Sequence, residues 1–392
     1  MGYIENCLPK ALAAMGHDVS LITSTAQVYF NQPHYKTSFE DFLGAPIQPE
    51  GMKIIDGVKV CRLPFHSLKK QLIIKGLVAK IREIKPDIVH TFVHADVNTL
   101  KLVFAKIFTP YKLFTANHTS LLAFEVSKKE NNANNWYHTL LRFLIFTLPG
   151  AFISLFIKKC FCVTVDAIGV ATQIYGVKKS KAIATTLGVD TELFRPNDIV
   201  KKSLREKLGF QPTDIVCIYT GKLTLLKNPL ILAQAIDKLR HSEPRFKGLF
   251  IGNGEQHKAI EDLKNCTILP FQQHKDLPQY YQMADIAVWP FGESSSQIDV
   301  VATGLCLVLS EGVKTYDSVN SASKFTETEV YFPKIVSRFY KTNDVEDLTE
   351  ALKALKFREE RESLIALGMK EVRDIFSWES IATRRLKDYT DS

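Results

Sequence analysis

The chain has 392 residues, 46% hydrophobic and 23% charged, which excludes disordered, fibrous and disulfide-stapled classes and allows two domains with large cores. Its seven cysteines are scattered and include no C-x-x-C, so no zinc site is expected and reduced thiols in a cytoplasm are the natural reading. The net charge of +8 is uneven: residues 1–190 hold 22 Lys+Arg against 13 Asp+Glu, and residues 191–392 hold 28 against 29. The excess points to an anionic partner of the first half, ordinary solubility being the plainer account. The start MGYIENCLPKAL lacks the basic and apolar regions of a secretory signal.

In chain order, ENCLPKALAAMG (5–16) reads as a helix, with Leu8, Leu12 and Met15 on one face and Gly16 at the C-cap. DVSLITS (18–24) and GVKVCRLP (57–64) read as strands. LKKQLIIKGLVAKIREIK (68–85) reads as one helix with Lys69, Lys70, Lys75, Lys80, Arg82 and Lys85 beside an apolar stripe, the composition of an interfacial helix. DIVHTF (87–92), a helix near 96–108 and KLFTANH (112–118) follow. FLIFTLPGAFISLFI (143–157) is 15 uncharged residues between Arg142 and Lys158–Lys159. It is shorter than the ~18 apolar residues expected of a membrane span, and Pro149–Gly150 interrupt it, so a buried or interfacial segment is expected.

TLGVDTELFRP (186–196) breaks the pattern and is the expected inter-domain linker. Beyond it, DIVCIYTGKL (214–223), KGLFIGNGE (247–255), CTILPF (266–271), DIAVWP (285–290) and CLVLS (306–310) are short apolar strands separated by helical runs such as NPLILAQAIDKLRHS (228–242). Near-continuous apolar strands spaced by helices imply parallel sheets covered on both faces. The expected fold class is therefore α/β, with two doubly wound domains.

Ligands of such sheets sit at the carboxyl ends of strands. There, Gly221, Lys222 and Lys227 form a strand-to-helix turn suited to phosphate, though solvated lysines explain it as readily. GNGE (252–255) allows close backbone approach or a plain turn. WPFGESSSQIDVVATG (289–304) places Glu293, three serines and Asp299 where a strand passes into a helix. Ser294, Ser295 and Ser296 can cap that helix or donate to an anion. Neither G-x-G-x-x-G nor G-x-x-x-x-G-K-[ST] occurs at these turns.

Eight segments in order resemble the retaining glycosyltransferases of family four, which have the GT-B architecture: LPKALAAMGHDVSLIT, KPDIVHTF, LGVDTELFRP, YTGKLTLLKNP, IGNGE, LPQYYQMADIAVWPFGES, NDVEDLTEAL and FSWESIA. The resemblance spans nearly the whole chain. It implies an acceptor-binding domain over 1–190, a nucleotide-sugar domain over 191–375, and a closing helix over 376–392 that returns to the first, with Trp378 as a packing residue. It implies a hexosyl transfer from a UDP- or GDP-sugar to a lipid-linked or polysaccharide acceptor, with no metal, no further cofactor and no nucleic acid. Donor binding falls to Gly221, Lys222, Lys227, Gly252, Asn253, Phe271, Glu293, Ser294, Ser295, Ser296 and Asp299. Catalytic roles fall to Lys222, Lys227 and Glu293, and to His118, which stands where the family places a histidine beside the reacting sugar.

The chain departs from the family pattern in four places. Lys222 replaces the usual arginine, which loses bidentate geometry but keeps the charge. Five residues, not seven, separate the two acids, and the second is the shorter aspartate. Cys306 replaces a proline. The family's first strand and glycine-rich acceptor loop belong before residue 2, so the first domain is expected to lack its first strand. A lipid-linked acceptor and the basic first half together imply a cytoplasmic protein, peripheral on the inner face of an anionic membrane. The alternatives are a non-catalytic GT-B scaffold at a membrane with a decayed donor site and, more weakly, a nucleotide-sugar epimerase.

Overall fold

Runs of β-branched and aromatic residues between residues 214 and 340 pair side by side as the sequence pattern requires. The computed structural model describes residues 4–38, 40–68, 71–119, 136–163, 165–291, 294–311 and 337–392. The chain divides into two units: Leu8–Thr186 with Ala382–Ser392, and Met1–Cys7 with Leu187–Ile381.

In the first unit, β1 (Ser20–Ser24) pairs parallel with β3 (Val58–Leu63), which pairs antiparallel with β2 (Gly51–Ile55). β4 (Phe65–Leu68) and β5 (Gln71–Ile74) make a hairpin. β6 (Ile88–Thr91), β7 (Lys112–Asn117), β8 (Cys160–Cys162) and β9 (Ala182–Ala184) form a parallel sheet in chain order. The expected single helix over 68–85 is therefore wrong. β-Branched Ile73 and Ile74 close the hairpin, Gly76 turns the chain with φ 70°, and only Leu77–Ile84 is helical.

The apolar segment near 143–157 also differs from expectation. It belongs to a longer helix, Trp136–Phe156, of 21 residues. A single π-turn, Phe143–Thr147, in which Leu148 N donates to Phe143 O, directly precedes Pro149, and the helix continues through the proline. Its inner face is fixed to the unit. Thr147 Oγ1 donates to Ile174 O at 2.7 Å, and His94 bridges Thr115 Oγ1 (2.9 Å) and Gly150 O (3.0 Å). A Cβ on Gly150 would lie 1.9 Å from Tyr175 O, which is why glycine stands there. From the C-terminal helix Trp378–Thr390, Tyr389 packs on Phe114 and donates to or accepts from His90 Nδ1 at 2.7 Å.

In the second unit, β10 (Ile215–Thr220), β11 (Phe246–Ile251), β12 (Cys266–Leu269), β13 (Ile286–Trp289), β14 (Cys306–Ser310) and β15 (Arg338–Tyr340) form one parallel sheet in the order β12-β11-β10-β13-β14-β15. β10, β13 and β14 are buried along their whole length, inside a sheet covered by helices: Leu230–Leu239, with Leu232, Ala233, Ile236 and Leu239 buried, lies against β11 and β12, and Ser296–Ala302 lies against β13 and β14. Asp285 at the foot of β13 ties down the helix Asp198–Lys207, accepting from Arg205 Nη2 at 2.5 Å and Lys201 Nζ at 2.8 Å. Residues 187–196 are packed rather than loose: Phe194 is fully buried, and the Val189 amide donates to Phe376 O. Trp378 is buried against Gly188.

Candidate functional site

The winding of the second sheet reverses between β10 and β13, and in open α/β sheets the crevice beyond the carboxyl ends at such a point receives ligands. Two loops meet there. The Gly221 amide donates to Ile251 O (3.0 Å), Leu223 N to Asn253 O (2.9 Å) and Gln256 N to Leu223 O (2.8 Å). Gly252 has φ 148°, and a Cβ on it would lie 1.9 Å from Gly221 O. This glycine lets the two backbones touch. Glu255 accepts from Leu225 N at 2.7 Å and Tyr219 Oη donates to Lys222 O at 3.0 Å, which fixes the lysine-bearing turn.

Lys222 and Lys227 lie on the one turn that leaves β10, near enough for the charge of one to act on the other. Burial lowers the Lys227 pKa, and the charge of Lys222 lowers it further. Neither lysine is paired with a carboxylate among the described residues. Two ammoniums on one turn, unpaired among the described residues and one of them partly desolvated, favour a bound dianion.

On the β13 side, Ser294, Ser295 and Ser296 are partly exposed ahead of the helix Ser296–Ala302. The expected capping differs in detail: Ser295 holds the cap position without a side-chain bond, and Ser294 Oγ accepts from Ser296 N at 3.4 Å. The Tyr281 hydroxyl bonds Thr220 Oγ1 at 2.8 Å, a buried pair that ties the end of β10 to the helix Leu277–Met283.

Asp299 points inward. It is 3% exposed, and its carboxylate lies 3.0 Å from His274 Nε2. Burial raises its pKa, and His274 only partly offsets that. Phe271 is exposed just past β12. Glu293 lies outside the described residues. His118 belongs to the first unit, exposed past the end of β7, its ring centroid 6.1 Å from that of Phe92. No group of three metal-ligating side chains occurs among the described residues.

Four contributors escaped the sequence reading: Thr220, Tyr281, Glu255 and His274. Glu255 carried a signal, as the last residue of GNGE. His274 carried none, since it sits on a 3₁₀ turn (His274–Asp276) with no period to place it.

Residues 200–365 match the family described as glycosyl transferases group 1. A D-inositol 3-phosphate glycosyltransferase of Segniliparus rotundus is 26% identical over 151 residues, 35% of this chain and 33% of that protein. This chain thus matches only about a third of that relative's length. An alpha-monoglucosyldiacylglycerol synthase of Acholeplasma laidlawii is 22% identical, covering 71% of this chain and 68% of its own. Among solved structures, Anabaena HepE in complex with UDP superposes with a TM-score of 0.65 at 13% identity, covering 100% of this chain and 98% of its own. The chain carries a group 1 glycosyltransferase domain, and its fold is that of GT-B glycosyltransferases.

Proposed function

We propose that this chain, with its group 1 domain on a GT-B fold, is a retaining glycosyltransferase that moves a hexose from a UDP- or GDP-sugar to a hydroxyl of a lipid-linked or polysaccharide acceptor. The observation that carries the reading is the pair Lys222–Lys227, on the one turn that leaves β10 at the point where the sheet's winding reverses, neither paired with a carboxylate among the described residues. The lysines hold the diphosphate and stabilise it as it leaves, the kind of electrostatic help that is usually the largest catalytic contribution. In the retaining reaction the bond from the anomeric carbon to the diphosphate oxygen breaks. The acceptor oxygen bonds to the same face, and its proton passes to the departing phosphate. Gly221, Gly252 and Asn253 shape the loop around the diphosphate, and Ser294, Ser295 and Ser296 donate to it. Phe271 flanks the base. Glu293 holds the donor sugar, Asp299 acts with His274 on the ribose side, and His118 positions the reacting sugar. The UDP complex of HepE and the glycolipid product in the name of the Acholeplasma relative support a UDP-sugar and a lipid acceptor. The place of action is the cytoplasmic face of a membrane.

One observation favours a second reading, a nucleotide-binding scaffold without transferase activity: the Asp299 carboxylate is bound to His274 and nearly buried. The two readings separate in one experiment. Thermal-shift binding of UDP, GDP and their hexose conjugates is followed by release of free nucleotide in the presence of diacylglycerol or polyprenyl-phosphate acceptors. Stabilisation with release supports the enzyme, and stabilisation without release on any acceptor supports the scaffold. No stabilisation by any nucleotide overturns both.

A further inference from the structure

The first unit leaves a large apolar surface uncovered. Within Trp136–Thr147 no residue is buried, and within Leu148–Phe156 only Gly150, Ile153 and Ser154 are. Leu141, Leu144, Leu148, Phe152 and Leu155 recur at three- and four-residue spacing and all stand exposed. The end of the helix Val97–Ala105 and the turn after it widen the patch. Phe104 lies against Phe152 with ring centroids 6.0 Å apart, and Ile107 and Phe108 are 74% and 66% exposed. Single exposed leucines are ordinary, but a contiguous apolar face marks an interaction surface.

The surrounding charge indicates what covers it. Lys106, Lys158, Lys178, Lys179 and Lys181 ring the C-terminal end of the helix. Lys106 Nζ donates to Phe156 O at 3.1 Å, and Lys181 Nζ donates to the carbonyls of Ser154, Leu155 and Ile157 at 2.8, 3.3 and 2.6 Å. None of the five is paired with a carboxylate among the described residues, whereas neighbouring Lys159 is, with Asp388 at 2.7 Å. Like charges crowd each other here: burial lowers the Lys181 pKa, and Lys178, Lys158 and Lys106 lower it further.

We propose that this face docks in the plane of an anionic lipid bilayer, with the apolar stripe of Trp136–Phe156 at the headgroup–acyl boundary and the lysine ring on the lipid phosphates. It deepens, and rests on, the reading of a lipid-linked acceptor. A second copy of the chain is a poorer occupant, because the same face carries no acidic group among the described residues of Trp136–Phe156 to meet the partner's lysines. Spanning is opposed as well. At ~1.5 Å per residue the helix is long enough, and an 18-residue stretch of it has a mean hydropathy of 1.8. Its inner face, however, is bonded to His94, Ile174, Lys178 and Lys181. Crossing would carry those loops and lysines into hydrocarbon.

The test floats the full chain with vesicles of phosphatidylcholine alone or of equal parts phosphatidylcholine and phosphatidylglycerol, at low and high salt, and measures UDP affinity on the same samples. Flotation is expected only with the anionic vesicles and should weaken with salt. Leu148→Glu, which removes apolar insertion, and Lys158→Glu with Lys179→Glu, which reverses charge, should each weaken it by about tenfold or more. UDP affinity should not change. Three results overturn the proposal: no flotation at low salt, flotation indifferent to both variants, or resistance to alkaline carbonate extraction, which signals a span. A dimer in solution that Leu148→Glu dissolves assigns the face to a second copy and equally overturns it. Lost flotation with UDP binding intact leaves the nucleotide reading standing. Lost UDP binding with flotation intact does the reverse.

Discussion

His274 Nε2 stands 3.0 Å from the carboxylate of Asp299, which is 3% exposed. A buried acid with a single ring partner is poorly compensated, and burial raises its folded pKa. Such a group favours folding below its unfolded pKa, and that contribution is lost as pH rises through the folded value. At pH 7.5 the ionised carboxylate therefore destabilises the unit. Asp299→Asn should raise the unfolding midpoint at pH 7.5 and do so less near pH 4. The same change should weaken UDP binding about tenfold or more if the carboxylate serves the ribose. A lower midpoint at pH 7.5 would refute the first half, and unchanged affinity the second.

Lys227 and Lys222 should carry most of the diphosphate affinity. Losing one charge-assisted contact costs about 1.5–3 kcal/mol, or roughly 10- to 150-fold. Lys227→Ala should show this for UDP and not for uridine, because only the diphosphate meets the ammonium. Lys222→Arg should retain or improve binding, since the fork suits phosphate geometry. Titration calorimetry with both ligands decides the matter. Equal losses for uridine and UDP would place Lys227 away from the phosphates.

Much of the second unit was legible in the sequence because its signals are local. Each strand from Ile215 to Ser310 is a short apolar run ending in a glycine, proline or polar turn, and a fully buried parallel strand needs nothing else. Lys222 and Lys227 could be read from one turn. What failed depended on residues distant in sequence. The 68–85 segment has helical spacing, yet its first half pairs as a hairpin whose second strand is held by Asn98, which accepts from Ile74 N and donates to Leu72 O. Asp299 was placed correctly on its helix, but its inward direction depends on His274, 25 residues away. Pro149 signalled an interruption, and the π-turn that precedes it has no composition of its own. The spacing could not show how much of the Trp136–Phe156 surface the unit leaves open.

Gly252 tests whether the two loops must touch. Its φ of 148° is one that L side chains rarely adopt, and a Cβ would lie 1.9 Å from the backbone oxygen of Gly221. Backbone cannot yield as a flexible side chain would. Gly252→Ala should destabilise the unit by about 1–3 kcal/mol and abolish UDP binding, because the turn bearing Lys222 is displaced. Gly209→Ala serves as the comparison. It also has positive φ (77°), but nothing lies within 4 Å of its added Cβ, so it should cost backbone strain alone and leave UDP affinity intact. Chemical denaturation and UDP titration of the two variants give the result, and normal UDP affinity in Gly252→Ala would show that the loop contact is dispensable.

His94 gives the first unit a defined acid limit. Its ring is 1% exposed, between Thr115 Oγ1 and the Gly150 carbonyl. Burial lowers its pKa from 6.5 to about 4, against smaller raising effects from the Gly150 carbonyl and Asp96. A histidine with a depressed folded pKa takes up its proton more readily when unfolded. Its contribution to stability is therefore complete above pH 6.5 and declines as pH falls toward about 4. The shift corresponds to about 3 kcal/mol across that window. His90, half-buried and shifted downward by desolvation and then by Arg385, adds to the loss in the same direction. Denaturant unfolding of the wild type should show a proton uptake by the histidines between pH 6.5 and 4, offset in part by the raised Asp299. His94→Gln removes one titrating group, so its slope should be shallower by about one proton even if the variant is less stable at pH 7. A His94→Gln profile parallel to the wild type would mean that the ring is already charged in the folded state.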